Sequence, residues 1–182
     1  MNDELFREAV FDALCACLNL NKTSAQAIAL IHEAYAEPEN VPRPPRNRNV
    51  IYWTVLQDPA ADPVSTAYNA ESASGTATHT PVVYTTLKYQ LIIVCYGPAC
   101  EEYALRIRHM LYLDGAGFPR RILRDAGIYP VPDPPQPVLL HEEEGSLWRK
   151  RADLTVSLRV REEYRGQARG SITIAPAVIL HK

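Results

Sequence analysis

The sequence predicts an α+β protein in which a mostly antiparallel β-sheet carries helices packed on one face. Two N-terminal stretches repeat apolar residues every three or four positions, which is the helical period. Several later stretches are β-branched throughout or alternate apolar and polar residues, which indicates strands. Helices are therefore mixed along the chain with strands that are joined as hairpins, and this order is typical of α+β domains.

Length and composition indicate one folded domain over residues 1–182, since a chain of 182 residues can bury one hydrophobic core. The chain is 47% hydrophobic and 22% charged, a balance typical of folded proteins. Its formal charge of -2 does not favour specific binding to nucleic acid or to an anionic membrane. The first residues are acidic, which is not typical of a secretory signal, and no apolar run reaches the roughly 20 residues that a membrane span needs. We therefore expect a protein that is made in the cytoplasm.

The first elements are expected to be a helical pair. Residues 3–18 place apolar side chains on one helical face. Thr23 or Ser24 can cap a second helix, which we expect to continue to about Ala36. The apolar stripe of this second helix would be Ala27, Ile28, Ile31 and Tyr35.

A strand and a hairpin arm are predicted next. Residues 37–49 are rich in proline, which removes amide donors and indicates a stiff connector. Val50–Leu56 is β-branched and aromatic, as expected of a strand covered on both faces. Residues 58–81 are small, polar and long for a connection, and they precede an extended run over Val82–Tyr96. These features predict a protruding β-hairpin arm with its tip near Ser72 to Thr76.

The second half predicts two helices and two strands. A helix is expected to begin after the Gly-Pro pair at 97–98, and a shorter one to end at Gly127. A proline-rich crossing then leads back to the sheet. The alternation that begins at Ala152 indicates a strand with a wet outer face. Residues 171–180 indicate a last strand, and Pro176 within it suits a sheet edge or a bulge.

Cys100 is the best candidate for a reactive group, because it lies in the first turn of a predicted helix. The helix N-terminus would lower the pKa of its thiol, whereas the adjacent Glu101 and Glu102 would raise it. Cys100 also shares a face with apolar residues of the helix, so packing against the sheet is the preferred interpretation. A small cytosolic thiol enzyme is kept as an alternative. We expect free thiols, in a reducing compartment, at Cys15, Cys17, Cys95 and Cys100.

The motifs point to no catalytic residue, cofactor or metal. The five histidines are scattered and form no CxxC, HxxxH or HExxH pattern with the cysteines. Residues 114–117, DGAG, lack the context of a dinucleotide loop, and there is no GxxxxGK[ST] or GxSxG. Residues 141–145, HEEEG, could bind a cation, but they are more typical of a solvated hairpin tip. Three short basic clusters alternate with acidic segments along the chain, so we interpret them as interface or solvated charges. They are Arg43, Arg46 and Arg48; Arg120, Arg121 and Arg124; and Arg149, Lys150 and Arg151.

The order of the segments resembles a known family. An N-terminal helical pair is followed by "PRPPRNRNVIYWTVL", then by a long strand that breaks at "VCYGPACEEYALRIRHML", then by a crossing to "LWRKRADLTVSLRV". In this succession the chain resembles the neck or tail terminator proteins of tailed bacteriophages. The resemblance covers nearly the whole chain.

The resemblance implies a non-enzymatic subunit that assembles into a ring, generally a hexamer, at the head-proximal end of the phage tail. Such a ring ends the growth of the tail tube and joins the tail to the head-side connector. The implied partners are further copies of the chain, the tail tube protein, the connector protein and, in a contractile tail, the sheath protein. DNA would pass through the lumen without specific binding, and the ring, assembled in the host cytoplasm, would belong to the virion. A head-completion or tail-completion role in the neck is the alternative.

Ring contacts are expected from the hairpin arm, because arms and edge strands can join subunits by strand addition. Tyr68 is the candidate apolar anchor of the arm, and the second candidate region is the basic segment from Arg120 to Arg124. The predicted interface residues are Tyr68, Ser72, Gly75, Thr76, Arg120, Arg121 and Arg124.

Overall fold

The structure is a computed structural model with four helices and eight strands in the described part of the chain. The helices are α1 (Asp3–Cys17), α2 (Ala25–Leu30), α3 (Cys100–Tyr112) and α4 (Pro119–Asp125). The strands are β1 (Ile31–Glu33), β2 (Val50–Gln57), β3 (Val64–Ala73), β4 (Thr76–Tyr96), β5 (Ile128–Pro130), β6 (Val138–Glu144), β7 (Leu147–Arg165) and β8 (Arg169–Gly170). The structure describes residues 3–34, 45, 47–58, 64–73, 76–113, 118–144, 147–165 and 169–170, and only the backbone is described at 3, 64–73, 76–84, 144, 147, 162–165 and 169–170.

The chain divides into two compact units. One unit comprises Met1–Ala61 with Leu87–Arg161, and the other comprises Asp62–Thr86 with Glu162–Lys182. Strand β4 contributes residues to both units. A single domain over residues 1–182 stays a prediction.

The sheet is mostly antiparallel, which confirms the predicted α+β class. Its strand order is β1-β2-β4-β7-β5, with β6 paired to β7, and β3 and β8 paired to β4. The pairs β2/β4, β3/β4, β4/β8, β5/β7 and β6/β7 are antiparallel, and β1/β2 is parallel. The pairs β3/β4 and β6/β7 are consecutive along the chain, because antiparallel strands need only a short turn between them.

The core of the larger unit lies between the sheet and helices α1, α3 and α4, which pack on one face. Alternate residues of β4 and β7, such as Ile93 and Leu154, are fully buried, and Ile107 of α3 is buried against the same cluster. Their neighbours in β7, including Thr155 and Arg159, are exposed on the other face. This alternation confirms the predicted strand at Ala152, which here begins earlier, at Leu147.

The prediction that the second helix continues to Ala36 was wrong. Helix α2 is capped by Ser24, whose Oγ accepts a hydrogen bond from the N–H of Ala27 at 3.1 Å, but it ends at Leu30. Ile31 and the two residues after it form β1, which pairs with Ile51–Trp53 of β2. Pairing with a central strand satisfies the backbone and buries Ile31, so the sheet overrides the helical period. Ile28, expected in the apolar stripe, is 60% exposed, and Tyr35 lies outside the described residues.

Two antiparallel hairpins lie in the described part of the chain. Strands β3 and β4 pair from Val64↔Thr85 to Ala73↔Thr76, so the chain reverses at the predicted tip. That this hairpin protrudes as an arm stays a prediction. Strands β6 and β7 form the second hairpin, but residues 141–144, expected at its tip, belong to β6 and pair with residues 147–150 of β7. The strand predicted at residues 171–180 falls outside the described part of the chain.

Side chains of α3 hold the proline-rich crossing in place by hydrogen bonds to the backbone carbonyl groups of the crossing. The guanidinium of Arg108 donates to the carbonyl oxygens of Pro135 at 2.7 Å and Pro134 at 3.4 Å. The Tyr112 hydroxyl donates to the carbonyl of Asp133 at 3.5 Å. These bonds satisfy carbonyl groups that lack a strand partner, and the crossing delivers the chain to β6 at the sheet edge.

Candidate assembly surface

The junction between β4 and α3 is structural. Gly97 has φ +105°, and its N–H donates to the carbonyl of Lys150 in β7 at 3.2 Å. A Cβ at Gly97 would lie 2.7 Å from the carbonyl oxygen of Arg48 and 2.9 Å from the α-carbon of Asn49. The Asn49 side chain accepts a hydrogen bond from the N–H of Ala99 at 2.9 Å, which caps an otherwise uncapped helix start. The junction therefore needs glycine for both conformation and space.

Cys100 packs in the core, as predicted, and does not have the environment of a nucleophile. Its side chain is buried in the main cluster, and burial raises the pKa of its thiol. Burial also raises the pKa of Cys17 and of Cys95 to about 12. A thiol with a raised pKa carries little thiolate near neutral pH. All four cysteines, including Cys15, are free and buried, which confirms the expected free thiols.

The described residues provide neither a metal-binding cluster nor a helical membrane span. Within the described segments, no three His, Cys, Asp or Glu side chains are grouped so that they could hold a metal ion. The described helices include none that is long and apolar enough to cross a membrane.

A polar cluster ties the β6–β7 hairpin to β4. Arg151 forms a bidentate ion pair with Asp153 at 2.6 and 2.7 Å and a second ion pair with Glu142 of β6 at 3.3 Å. The hydroxyl of Tyr96 donates to Glu142 at 2.8 Å, and the guanidinium of Arg149 lies 4.6 Å from the centroid of the Tyr96 ring. Arg149 is buried and Arg151 is half-buried, so the third basic cluster, expected to be solvated or at an interface, is used largely inside the subunit.

The same hairpin carries several exposed apolar residues at a sheet edge. In the described structure, β6 pairs with β7 only, so its other side is an edge. Trp148 is 65% exposed and Leu139 is 51% exposed, and Val138 and Leu140 are also exposed. Exposed edges with apolar side chains are sites where another chain can add. We call β6 together with Leu147–Asp153 the edge hairpin.

A groove lies at the opposite edge of the sheet, between α1 and β1, in the same compact unit. It has a volume of about 620 Å³ and is lined by apolar Phe11, Ile31 and Trp53 and by acidic side chains that include Glu8 and Glu33. The indole N–H of Trp53 is buried and has no acceptor among the described residues. We call this feature the α1/β1 groove.

The predicted interface residues fall in other places. Arg120, Arg121 and Arg124 lie on α4, where Arg120 is half-buried and the other two are exposed; Arg121 approaches Asp125 at 3.7 Å. In the hairpin of β3 and β4, Tyr68 pairs with Pro81, Ser72 with Ala77, and Thr76 with Ala73, all described by backbone only. Gly75 lies outside the described residues.

The edge hairpin is a surface that the sequence interpretation missed. The signal was present, because three consecutive apolar residues at 138–140 directly precede four polar ones, and Trp148 follows within the same hairpin. The proline-rich flank led to the interpretation of this stretch as a crossing. Three adjacent apolar residues in a strand must place at least one on each face, and in an edge strand one of those faces lacks cover.

Comparison with known proteins agrees with a structural role. The search of the curated proteins found no match. A family model described as phage neck terminator protein matches residues 6–179, a span that includes all four helices in whole or in large part and every strand described above. The match therefore extends over both compact units and confirms the resemblance drawn from the order of the segments. The chain belongs to the family of phage neck terminator proteins, structural proteins of the virion neck.

Proposed function

We propose that the protein forms a closed ring, a homohexamer, at the head-proximal end of the phage tail. The ring covers the last layer of the tail tube and so ends its growth, and its other face receives the head-side connector. Membership in the neck terminator family supports this position. The sheath protein is a further partner if the tail is contractile. Assembly takes place in the host cytoplasm, and DNA passes through the lumen without specific recognition.

The observation that carries the ring proposal is a pair of different, unpaired edges on one sheet. In the described structure, β1 and β6 each have one strand neighbour: β1 ends the order β1-β2-β4-β7-β5 beside β2, and β6 pairs with β7 near the other end. A ring of identical subunits uses head-to-tail contacts between two different surfaces and closes by rotation. Two complementary edges on one subunit meet this requirement.

The hairpin of β3 and β4 is proposed as a second contact, with the neighbouring subunit or with the tube. Within the described residues, β3 pairs with β4 only, so its outer edge is open to strand addition. Tyr68, Ser72, Gly75 and Thr76 are the proposed contacts of this hairpin. Arg120, Arg121 and Arg124 on α4 are proposed contacts with a partner protein.

Electron microscopy of negatively stained protein tests the ring directly. The purified protein is imaged at high concentration, alone and after mixing with tail tubes from a terminator-deficient lysate. Closed rings, or density that caps the tube ends, are expected. Monomers that ignore the tubes would contradict the proposal, and rings that bind heads but not tubes would favour a head-completion role.

Deleting residues 72–76 tests the contribution of the β3–β4 hairpin. The turn is shortened without change to the buried core of the larger unit, so the protein should stay folded and lose head-to-tail joining. Circular dichroism checks the fold, and complementation of a terminator-deficient phage measures the joining. Normal joining by the deletion variant would exclude the hairpin tip as a contact.

A further inference from the structure

We propose that adjacent subunits meet through the edge hairpin of one copy and the α1/β1 groove of the next. The inference rests on the proposed ring and specifies its contact. Both surfaces belong to one compact unit, so their placement at opposite ends of a single sheet is a property of that unit.

The register of β6 and β7 determines which side chains of the edge hairpin project to each face of the sheet. Leu139 pairs with Ala152, whose side chain is buried in the core beneath the helices. Because directly paired residues in antiparallel strands share a face, Leu139 projects to the helix side of the sheet. His141, Glu143, Trp148 and Lys150 project to the same side, since side chains two residues apart in a strand share a face. The helix side of the hairpin is therefore apolar at Leu139 and Trp148, basic at Lys150 and acidic at Glu143.

The α1/β1 groove opens on that same side of the sheet. Glu33 pairs with Trp53, and Trp53 is buried with the helices, so Glu33 and Ile31 also face the helix side. The groove floor is apolar, and the rim carries Glu4 and Glu8 on α1 and Glu33 on β1. Glu33 is paired with Arg7 at 2.6 Å, and Glu8 is paired with Lys22 at 3.4 Å. The lining thus has three carboxylates and one arginine, and this net acidic rim around an apolar floor suits an apolar hairpin face that carries Lys150.

The free edge of the sheet beside the groove favours an extended chain as its occupant. β1 has only three residues and one strand neighbour in the described structure, so its outer backbone groups are open to another strand.

The proposed occupant of the groove is a second copy of the chain. Each subunit has one edge hairpin and one α1/β1 groove, and a head-to-tail ring uses both on every subunit. One kind of contact would then cover the edge hairpin, where Trp148 is 65% exposed, and the groove on every copy.

Cysteine crosslinking tests which surfaces meet. The variants Leu139→Cys and Glu8→Cys are made separately in a Cys100→Ala background, because Cys100 and Leu139 line the same pocket. The other native cysteines are buried. We expect a disulfide-linked dimer when the two variants are mixed, assembled and oxidised, and at least about tenfold less from either variant alone. Equal crosslinking by Leu139→Cys alone would show that edge hairpins pair with each other and would overturn the proposal. No crosslinking in a preparation that contains rings would also overturn it.

Charge reversal provides an independent readout by mass photometry. Lys150→Glu should weaken ring formation about tenfold or more, because it places a carboxylate against the acidic rim. Arg159→Glu makes the same change on the same strand, at an exposed site on the opposite face, and should leave ring formation unchanged. The double variant Lys150→Glu with Glu8→Lys should recover part of the loss. Equal effects of Lys150→Glu and Arg159→Glu would contradict the assigned contact.

The two levels of the proposal fail differently. If the unmodified protein forms no ring, alone or on tail tubes, the proposed function fails and the assigned contact fails with it. If rings form but neither crosslinking nor charge reversal identifies these surfaces, only the assigned contact fails. Thermal unfolding of each variant, followed by circular dichroism, distinguishes loss of ring formation from loss of the fold.

Discussion

Replacing Gly97 with alanine should destabilise the protein more than any other single methyl addition at a described turn. Gly97 combines φ +105° with close packing, since the added Cβ would lie 2.7 Å from the Arg48 carbonyl oxygen and 2.9 Å from the α-carbon of Asn49. Both are backbone atoms of the segment that leads into β2. They cannot rotate away, so relief requires movement of the chain that also caps α3.

The magnitude follows from two separate costs. A positive φ costs a non-glycine residue about 1 kcal/mol or somewhat more. Forcing a methyl group into filled space adds roughly 1–3 kcal/mol. The sum of about 2–4 kcal/mol corresponds to a fall in Tm of roughly 5–15 °C for a chain of this size. Gly127 is the matched control, because it has φ +75° but nothing within 4 Å of an added Cβ.

Urea unfolding followed by circular dichroism at a fixed protein concentration measures both variants. Gly127→Ala should lose only about 1 kcal/mol of unfolding free energy, which is the conformational cost alone. Gly97→Ala should lose at least twice as much. An equal or smaller loss at Gly97 would show that steric contact with residues 48 and 49 does not contribute, and the structural account of the junction would be wrong.

Three further predictions concern the thiols and the polar cluster. At pH 7.5, all four cysteines of the native protein should react with iodoacetamide much more slowly than those of the unfolded protein, because burial raises the pKa of each thiol. Mass spectrometry measures the labelling of each cysteine. Rapid labelling of Cys100 would instead support a thiol enzyme. Burial first, and then the hydrogen bond to Glu142, raise the pKa of Tyr96 from 10.0 to about 12, so this residue's contribution to stability is complete below pH 10 and is lost as the pH rises to 12. Tyr96→Phe should therefore lose stability less steeply between pH 10 and 12 than the unmodified protein, and an identical slope would exclude this titration. Arg151→Ala removes the ion pairs to Asp153 and Glu142 and should cost roughly 1–3 kcal/mol in urea unfolding, whereas Arg159→Ala, at an exposed site, should cost less than about 0.5 kcal/mol.

Periodicity correctly predicted most elements of the fold. Alternation identified the long strands β4 and β7, and the three- and four-residue spacing identified α1 and α3. The Gly-Pro pair at 97–98 and Gly127 marked helix boundaries, and both glycines have positive φ. These features depend on the local backbone conformation and on which face of an element is buried, and the identities of neighbouring residues indicate both.

The short strands could not be predicted in this way. Residues 31–33 continue a helical pattern and form β1 only because β2 lies beside them, and the three residues of β5 pair with β7 in the same manner. Such elements depend on a partner that is distant along the chain. A window of neighbouring residues contains no information about that partner.

The candidate surfaces, like the short strands, depend on contacts between residues that are distant along the chain. The α+β class, the free buried thiols and membership in the neck terminator family could be inferred before the fold was known, because they depend on composition, local periodicity and the order of segments. The folded chain was needed to place the edge hairpin and the α1/β1 groove at opposite ends of one sheet, and to show that Arg149 and Arg151 pack on Tyr96. Strand order and side-chain burial arise from contacts between residues far apart in the chain, and it is those contacts that decide which apolar residues are covered and which remain for a partner.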